Sequence, residues 1–254
     1  VISDAVSSRI IEVIDSRRKD YLSNYFENKT EFSERNQVKY FVSDMHETYR
    51  QIKRKFFKNA VYIVDRFHVI RLFNDAITSI RTKILKNIEY GSKPYNYLKK
   101  NWKIFLMKRS ELLKKSFVDD ETGVVYNPTI ELDCCLANYP ELSKAYFIKN
   151  NFEKESETEY SYIEARKFVY KYINLLESID SYSLQKIAKT FLNWDEEIIR
   201  AYCSTEYGFR LSNSRAEGNN SRIQKLIDIS CGLCNFQRLR NRVLYIDKNE
   251  KREN

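Results

Sequence analysis

The chain has 254 residues, of which 43% are hydrophobic and 31% are charged, so it should be a globular protein with a substantial core rather than a disordered one. Its net charge of +9 and its 14% of aromatic residues favour a polyanionic partner, nucleic acid first, although many soluble proteins are merely basic. No apolar stretch approaches the length of a membrane span, and five cysteines without framework spacing indicate free thiols in a reducing cytoplasm.

The first elements predicted along the chain are a hairpin and a helix. The chain begins with the pattern of a strand that ends at Asp4; a turn follows, and then a second strand over Arg9–Ile14. A helix is predicted over Asp15–Phe26, with a polar continuation over Glu31–Asn36.

A β-α-β unit is predicted next. Two short runs rich in Val, Ile, Tyr and Phe, Val38–Ser43 and Ala60–Val64, have the composition of buried strands. The apolar residues between them recur at helical spacing: Met45, Tyr49, Ile52 and Phe56. The two strands should therefore be parallel, with Asp44 and Asp65 at the same edge of the sheet, where open α/β sheets bind ligands.

The only two histidines of the chain lie just beyond these aspartates. His46 follows Asp44 by two residues, and His68 follows Asp65 by three. Either aspartate could instead be a helix N-cap, a position that Asp favours. The concentration of every histidine at this edge favours a functional site over capping.

A long helical block follows. The segment 69–85 has one apolar helical stripe, and 88–205 is predicted to be an all-helical insertion, with a loop over 119–128 and Pro140 at the first position of a helix. The predicted organisation is therefore a core over 1–87, the insertion over 88–205, and a C-terminal helical part of the core over 206–254.

A third carboxylate, Glu217, lies at the start of the last long helix, in SNSRAEGNNSRIQKL (212–226). Ser214 and Glu217 fit a capping box, which is the structural alternative to a functional role. Gly218 inside a helix costs about 1 kcal/mol relative to alanine, which makes sense if another backbone or a ligand comes close. Asn220 continues the same polar face.

These motifs together resemble the ISL-three family of bacterial insertion-sequence transposases. The resemblance is carried by VSDM around Asp44, FFKNA ending at Ala60, VDRFH from Val64 to His68, SNSRAEGNN around Glu217 and LRNRVL at 239–244. It runs from one end of the chain to the other. It implies an α/β fold of the ribonuclease-H-like kind, a mixed sheet flanked by helices, with a large all-helical insertion.

The resemblance also implies the chemistry and its residues. Asp44 would be the second catalytic aspartate and Glu217 the closing glutamate, both ligands of two Mg²⁺ or Mn²⁺ ions. Asp65, His68 and Asn220 would support the site. The residues expected to contact DNA are Arg66, Arg71, Arg215, Arg222 and Lys225. The implied activity is DNA cleavage and strand transfer on double-stranded transposon ends and target, by a homo-oligomer in the cytoplasm at the bacterial nucleoid, with no membrane partner.

Two departures from the family pattern leave an alternative open. The family's first aspartate belongs to a strand before Val1, and Asp4, a turn aspartate, is a poor substitute, so the first strand is expected to be missing. Its absence should leave a slot roughly 10 Å wide between the hairpin and the Val38 strand. The basic pattern usual after the glutamate is replaced by Gln224, Ile227 and Asp228. The alternative is a decayed copy or a non-catalytic nucleic-acid-binding domain.

One further motif is Cys231-Gly-Leu-Cys234. It has the spacing of a redox motif or of half a zinc site, but it follows a helical pattern, and two further zinc ligands are not evident. A structural role is predicted.

Overall fold

A computed structural model describes residues 1–118, 123, 125–230 and 235–250, and the Cys231–Cys234 motif lies outside them. The chain forms two compact units. The first combines Val1–Arg66 with Cys203–Asn254, and the second is Phe67–Tyr202. The three-part division of the sequence at 87 and 205 stays a prediction.

The first unit begins with the predicted hairpin. Strands β1 (Ile2–Ser3) and β2 (Ile10–Glu12) pair antiparallel, and the Asp4 carboxylate accepts hydrogen bonds from the backbone N–H groups of Val6, at 2.8 Å, and Ser7, at 2.5 Å. An aspartate that bonds backbone donors two and three residues ahead stabilises a turn. The prediction that Asp4 is a turn aspartate is confirmed.

The β-α-β unit is also confirmed. Strands β3 (Tyr40–Ser43) and β4 (Val61–Val64) are parallel and are joined by α3 (Glu47–Phe56). Helix α1 (Lys19–Asn28) packs on α3 through Leu22 and Phe26. The predicted polar continuation of α1 is a separate helix, α2 (Phe32–Gln37), because a capping box between Glu31 and Glu34 starts a new helix there.

The C-terminal part of the first unit adds two helices. These are α12 (Ser214–Ile229) and α13 (Phe236–Glu250), numbered after the helices of the second unit. Helix α13 covers the outer edge of β2: the Asp247 carboxylate accepts from the N–H of Ile10 at 3.0 Å, and Arg240 forms a bidentate ion pair with Glu12 at 2.6 and 2.5 Å. Val243 packs into the small core against the hairpin.

The second unit is mainly helical. Its helices are α4 (Arg66–Asn87, which starts one residue before the unit), α5 (Lys93–Lys100), a 3-10 turn (Ile104–Leu106), α6 (Arg109–Leu112), α7 (Thr129–Asn138), α8 (Pro140–Glu155), α9 (Tyr162–Glu177), α10 (Tyr182–Asn193) and α11 (Asp195–Tyr202). Pro140 is at the start of α8, as predicted. The insertion is not all-helical, however, because β5 (Phe117–Val118), just before the predicted loop, pairs antiparallel with β6 (Val125–Tyr126), which lies within it. Two-residue strands carry too little periodic pattern to be recognised from sequence.

The core of the second unit is built around Phe152. This ring is fully buried, and five aromatic rings surround it at centroid distances of 4.8 to 5.8 Å: Phe73, Phe168, Tyr172, Phe191 and Tyr202. Helices α4, α8, α9, α10 and α11 each contribute at least one ring. Within the described part of the chain, no helix is both long and apolar enough to cross a bilayer.

We expect Phe152→Ala to lower the free energy of unfolding by about 3–5 kcal/mol, because the cavity it leaves is lined by rigid rings that cannot collapse into it. Urea denaturation of the purified chain measures the change. The control is Phe147→Ala on the same helix, a 42% exposed ring whose loss should cost less than about 1.5 kcal/mol. Equal losses in the two variants would contradict a core centred on Phe152.

Candidate metal centre

Two carboxylates meet at the C-terminal edge of the parallel strand pair. The strands pair in register up to Ser43 and Val64, and the N–H of Asp65 donates to the Ser43 carbonyl at 3.0 Å. Asp44 and Asp65 are the next residues on the two strands. One carboxylate oxygen of each lies within 4.8 Å of the other. Asp65 is buried and Asp44 is half-buried.

Hydroxyl groups on both strands hold the backbone at Asp44. Tyr62 and Ser43 each donate a hydrogen bond to the carbonyl oxygen of Asp44 at 3.1 Å, and their own hydroxyl oxygens are 2.9 Å apart. The Asp44 carbonyl also accepts from the N–H of His46 at 2.8 Å. Three hydrogen bonds to the Asp44 carbonyl oxygen therefore hold the backbone that carries the Asp44 carboxylate.

Helix capping does not explain Asp44. His46 is the N-cap of α3, and its Nδ1 accepts from the N–H of Thr48 at 3.2 Å. The capping role considered for Asp44 therefore belongs to His46. Because His46 already has this local role, its proximity to Asp44 is no longer evidence for a site.

His68 lies in the first turn of α4, three residues after Asp65. His68 is half-buried. An imidazole nitrogen beside a carboxylate is a suitable metal ligand or a partner that orients one.

The start of α12 meets Asp44. Asn213 is the N-cap residue of this helix, but its side chain makes no capping bond and instead donates to Asp44 Oδ1 at 2.8 Å. The positive end of the helix dipole therefore lies near a carboxylate, which stabilises its charge. The sequence interpretation gave Asn213 no role. The available indication was its spacing, since Asn213 precedes Glu217 by four residues and so lies on the same helical face.

Glu217 lies on α12 one turn beyond Asn213, and its side chain is exposed. Among the described residues it does not belong to the group of potential metal ligands at Asp44 and Asp65. It is not a capping residue either: α12 starts after Asn213 without a side-chain cap, and the Ser214 hydroxyl is 2.7 Å from that of Ser212. The capping-box alternative is wrong, because the helix begins at Ser214, one residue earlier than that motif requires.

Gly218 does not serve a close backbone contact. A Cβ atom placed on it would have no described atom within 4 Å, apart from its immediate helical surroundings. Of the two reasons offered for a glycine at this position, the approach of another backbone is therefore wrong within the described part of the chain. The approach of a ligand stays a prediction.

A cavity of about 600 Å³ adjoins the carboxylate edge within the first unit. Asp44, Asn213 and Asn220 line it, together with Arg17 and Tyr49. Burial raises the pKa of the Tyr49 phenol, the charge of Asp44 raises it further, and Arg17 lowers it. Tyr49 therefore remains a neutral hydrogen-bonding group at ordinary pH.

The residues predicted to contact DNA have different surroundings. Arg66 begins α4 and is half-buried, whereas Arg71 is exposed and lies 3.8 Å from Asp75. Arg222 and Lys225 are exposed on α12. Arg215 begins the same helix, but its side chain lies outside the described part of the structure.

The donor set at the strand edge suits a hard divalent cation. Mg²⁺ and Mn²⁺ prefer carboxylate oxygens, and two of these are supplied by adjacent, rigid strand ends. Paired carboxylates that hold divalent cations are the type of site used for phosphodiester chemistry.

A family model described as "Transposase", that of the ISL-three group of DDE transposases, matches residues 1–243. The chain therefore belongs to this transposase family, and the resemblance found in the sequence is confirmed. No curated protein and no solved structure gives a significant match.

We expect Asp44→Asn and Asp65→Asn each to abolish Mn²⁺ binding measured by isothermal titration calorimetry. Without metal, Asp44→Asn should be as stable as the wild type or more so, because it removes one of two neighbouring like charges. Asp20→Asn, which neutralises an exposed carboxylate in the first turn of α1, is the matched control and should bind Mn²⁺ normally. If Asp44→Asn loses several kcal/mol of stability but still binds Mn²⁺, Asp44 is a structural residue.

Proposed function

We propose that this chain carries the catalytic site of a transposase, which cleaves DNA strands and transfers them with the help of divalent metal ions. The observation that carries the proposal is the Asp44–Asp65 pair, within 4.8 Å at the ends of two adjacent parallel strands. Membership of a DDE transposase family supports the reaction class.

The proposed roles follow from these positions. Asp44 and Asp65 offer carboxylate oxygens to the metal, Asn213 orients Asp44, and His68 supports Asp65. Two bound Mg²⁺ or Mn²⁺ ions would activate the attacking water or 3′-hydroxyl and stabilise the leaving oxygen. Glu217 is proposed as the closing carboxylate, supported by its place one turn after Asn213 on the face of α12 that meets Asp44.

Asn220 is proposed to support the site from the cavity wall. It lies on the same side of α12 as Asn213 and Ala216, and all three line the cavity with Asp44. A neutral amide there can donate to a phosphate oxygen or to a metal-bound water without competing for the metal.

The fold is proposed to be ribonuclease-H-like. The supporting feature is the cavity, whose lining includes Val1 to Ser3 and Val38 to Asp44. Among the described strands, β1 pairs with β2 alone and β3 with β4 alone. A further strand between β1 and β3 would need neighbours about 10 Å apart, and residues of both strands line this cavity.

DNA is proposed as the partner, bound as a duplex by a homo-oligomer, in the cytoplasm where the nucleoid lies. The net charge of +9 and the exposed basic side chains of Arg222 and Lys225 on the helix of Glu217 support phosphate contacts. Arg71, which lies 3.8 Å from Asp75, is proposed as a further phosphate contact.

One observation favours the alternative of a decayed transposase copy. Gln224 stands where the family usually has a basic residue, and its amide donates to the Asp228 carboxylate at 2.9 Å. These two side chains satisfy each other and offer no cation to a phosphate. Weaker binding of the transposon end is the expected consequence.

We expect the full-length gene product to nick supercoiled plasmid DNA in Mn²⁺, and Asp44→Asn and Glu217→Gln to lower the nicking rate by more than about 100-fold. Even outer partners of metal ligands change metal affinity or activity by about 10–100-fold, so a direct ligand should cost at least as much. Asp228→Asn removes the same charge from the same helix and should leave the rate nearly unchanged.

Two results would contradict this proposal. If Glu217→Gln nicks as fast as Asp228→Asn, Glu217 is not the closing carboxylate. If the wild type binds DNA but neither binds Mn²⁺ nor nicks the plasmid, the non-catalytic alternative is correct.

We expect the logarithm of duplex affinity to fall linearly with the logarithm of salt concentration, by about 0.9 per phosphate neutralised. Replacing both Arg222 and Lys225 with Gln should reduce the slope by about 2, as measured by fluorescence anisotropy over a salt series. Lys55→Gln, whose ammonium is already paired with Glu27 at 3.4 Å, is the control. An unchanged slope in the double variant would exclude these residues from the DNA interface.

A further inference from the structure

The second unit carries a short segment that is rich in both lysine and aromatic residues. Residues 86–103, KNIEYGSKPYNYLKKNWK, contain five lysines and one acidic residue, Glu89. They run from the end of α4 through α5 to the turn before Ile104. None of the sites described above uses this segment.

The positive charge of this segment is uncompensated. All five lysines are exposed, and none forms an ion pair with a described residue: Lys86, Lys93, Lys99, Lys100 and Lys103. Some other basic side chains of the same unit are paired, as in Lys171 with Glu155 at 2.7 Å and Arg200 with Glu196 at 2.8 Å. The segment therefore has a net positive charge that is available to an anion.

Two tyrosines and one lysine of the segment form a compact surface group. The rings of Tyr90 and Tyr95 lie 5.0 Å apart, and the Lys99 ammonium is 5.8 Å from the first and 5.4 Å from the second. Tyr90 is 80% exposed although it contacts these neighbours. We call Tyr90, Tyr95 and Lys99 the tyrosine–lysine group.

The backbone holds Tyr90 in this exposed place. Gly91 adopts a positive φ of 78°, which favours glycine and reverses the chain before α5. Its carbonyl accepts from the Asn96 side chain at 2.9 Å, and the Ser92 hydroxyl donates to the carbonyl of Glu89 at 2.7 Å. An aromatic ring presented on a bonded turn loses little freedom when it binds a ligand.

A second pair of the same kind follows. Trp102 is 43% exposed, and the Lys103 ammonium lies 5.6 Å from its ring. Exposed aromatic rings next to unpaired lysines combine a stacking surface for bases with cations for phosphates.

We propose that this surface binds an unpaired DNA strand, with a base stacked on Tyr90 and the adjacent phosphates on the lysines. An unpaired strand is favoured over a duplex because base faces are accessible to aromatic rings only when the bases are not stacked within a helix. This inference rests on the proposed function in taking DNA as the substrate, but it does not depend on the metal centre.

The test measures binding of a short labelled single-stranded oligonucleotide and of its duplex to the full-length gene product. Tyr90→Ala should weaken single-strand binding by at least about fivefold and change duplex binding by less than about twofold, whereas Tyr90→Phe retains the stacking ring and the affinity. Tyr182→Ala is the matched control, because Tyr182 is a tyrosine of the same unit with 81% exposure and no lysine beside it in the sequence.

The lysine contribution has its own control. Lys99→Gln should reduce the salt slope of single-strand binding by about 0.7. Lys171→Gln, which removes the same charge from a lysine paired with Glu155, should change it much less. If Tyr90→Ala behaves like Tyr182→Ala, or weakens both forms of DNA equally, the proposal is overturned.

Asp44→Asn separates this inference from the proposed function. The variant should lose nicking and keep Tyr90-dependent single-strand binding. Single-strand binding that persists in a wild type unable to nick DNA would contradict the catalytic proposal alone, whereas nicking with no contribution from Tyr90 would contradict only the binding surface.

Discussion

The in-register parallel pairing of β3 with β4 is the constraint on which the candidate site depends. Both strands end at the pair formed by Ser43 and Val64. The next residues, Asp44 and Asp65, therefore lie side by side at the edge of the sheet. A shift of one residue would send the two side chains to opposite faces. The hydroxyls of Ser43 and Tyr62, one from each strand, bond the Asp44 carbonyl and so oppose such a shift.

The first unit is assembled from two segments that are distant in the sequence. Asn213 ties the start of α12 to Asp44, and Asp247 on α13 ties the far end of the chain to the backbone of β2. The hairpin thereby has one edge closed by α13, while β1 borders the cavity. The 136-residue span Phe67–Tyr202 separates these two segments in the sequence. That span has a hydrophobic core of its own, centred on Phe152.

The positive charge of the protein is divided between two environments. Some exposed cations are paired with carboxylates, and such surface pairs contribute little to stability but reduce the local field. The cations that stay uncompensated include the lysines of segment 86–103, beside exposed aromatic rings. Net charge alone indicates a polyanionic partner, whereas exposed aromatic rings beside unpaired lysines indicate which surface can bind it.

The local pattern of the sequence was enough to predict the hairpin, the β-α-β unit, the turn role of Asp4 and the start of α8 at Pro140, because strand and helix periods and capping preferences act over a few residues. The same pattern predicted that Asp44 and Asp65 lie at one edge of the sheet, because two parallel strands joined by a helix end at the same edge. The contact of Asn213 with Asp44, across 169 positions, was decided only by tertiary packing. So were the exposed surroundings of Gly218 and the choice of His46 over Asp44 as the cap of α3. Local propensities are nearly equal for these alternatives, and the packing of distant segments selects among them.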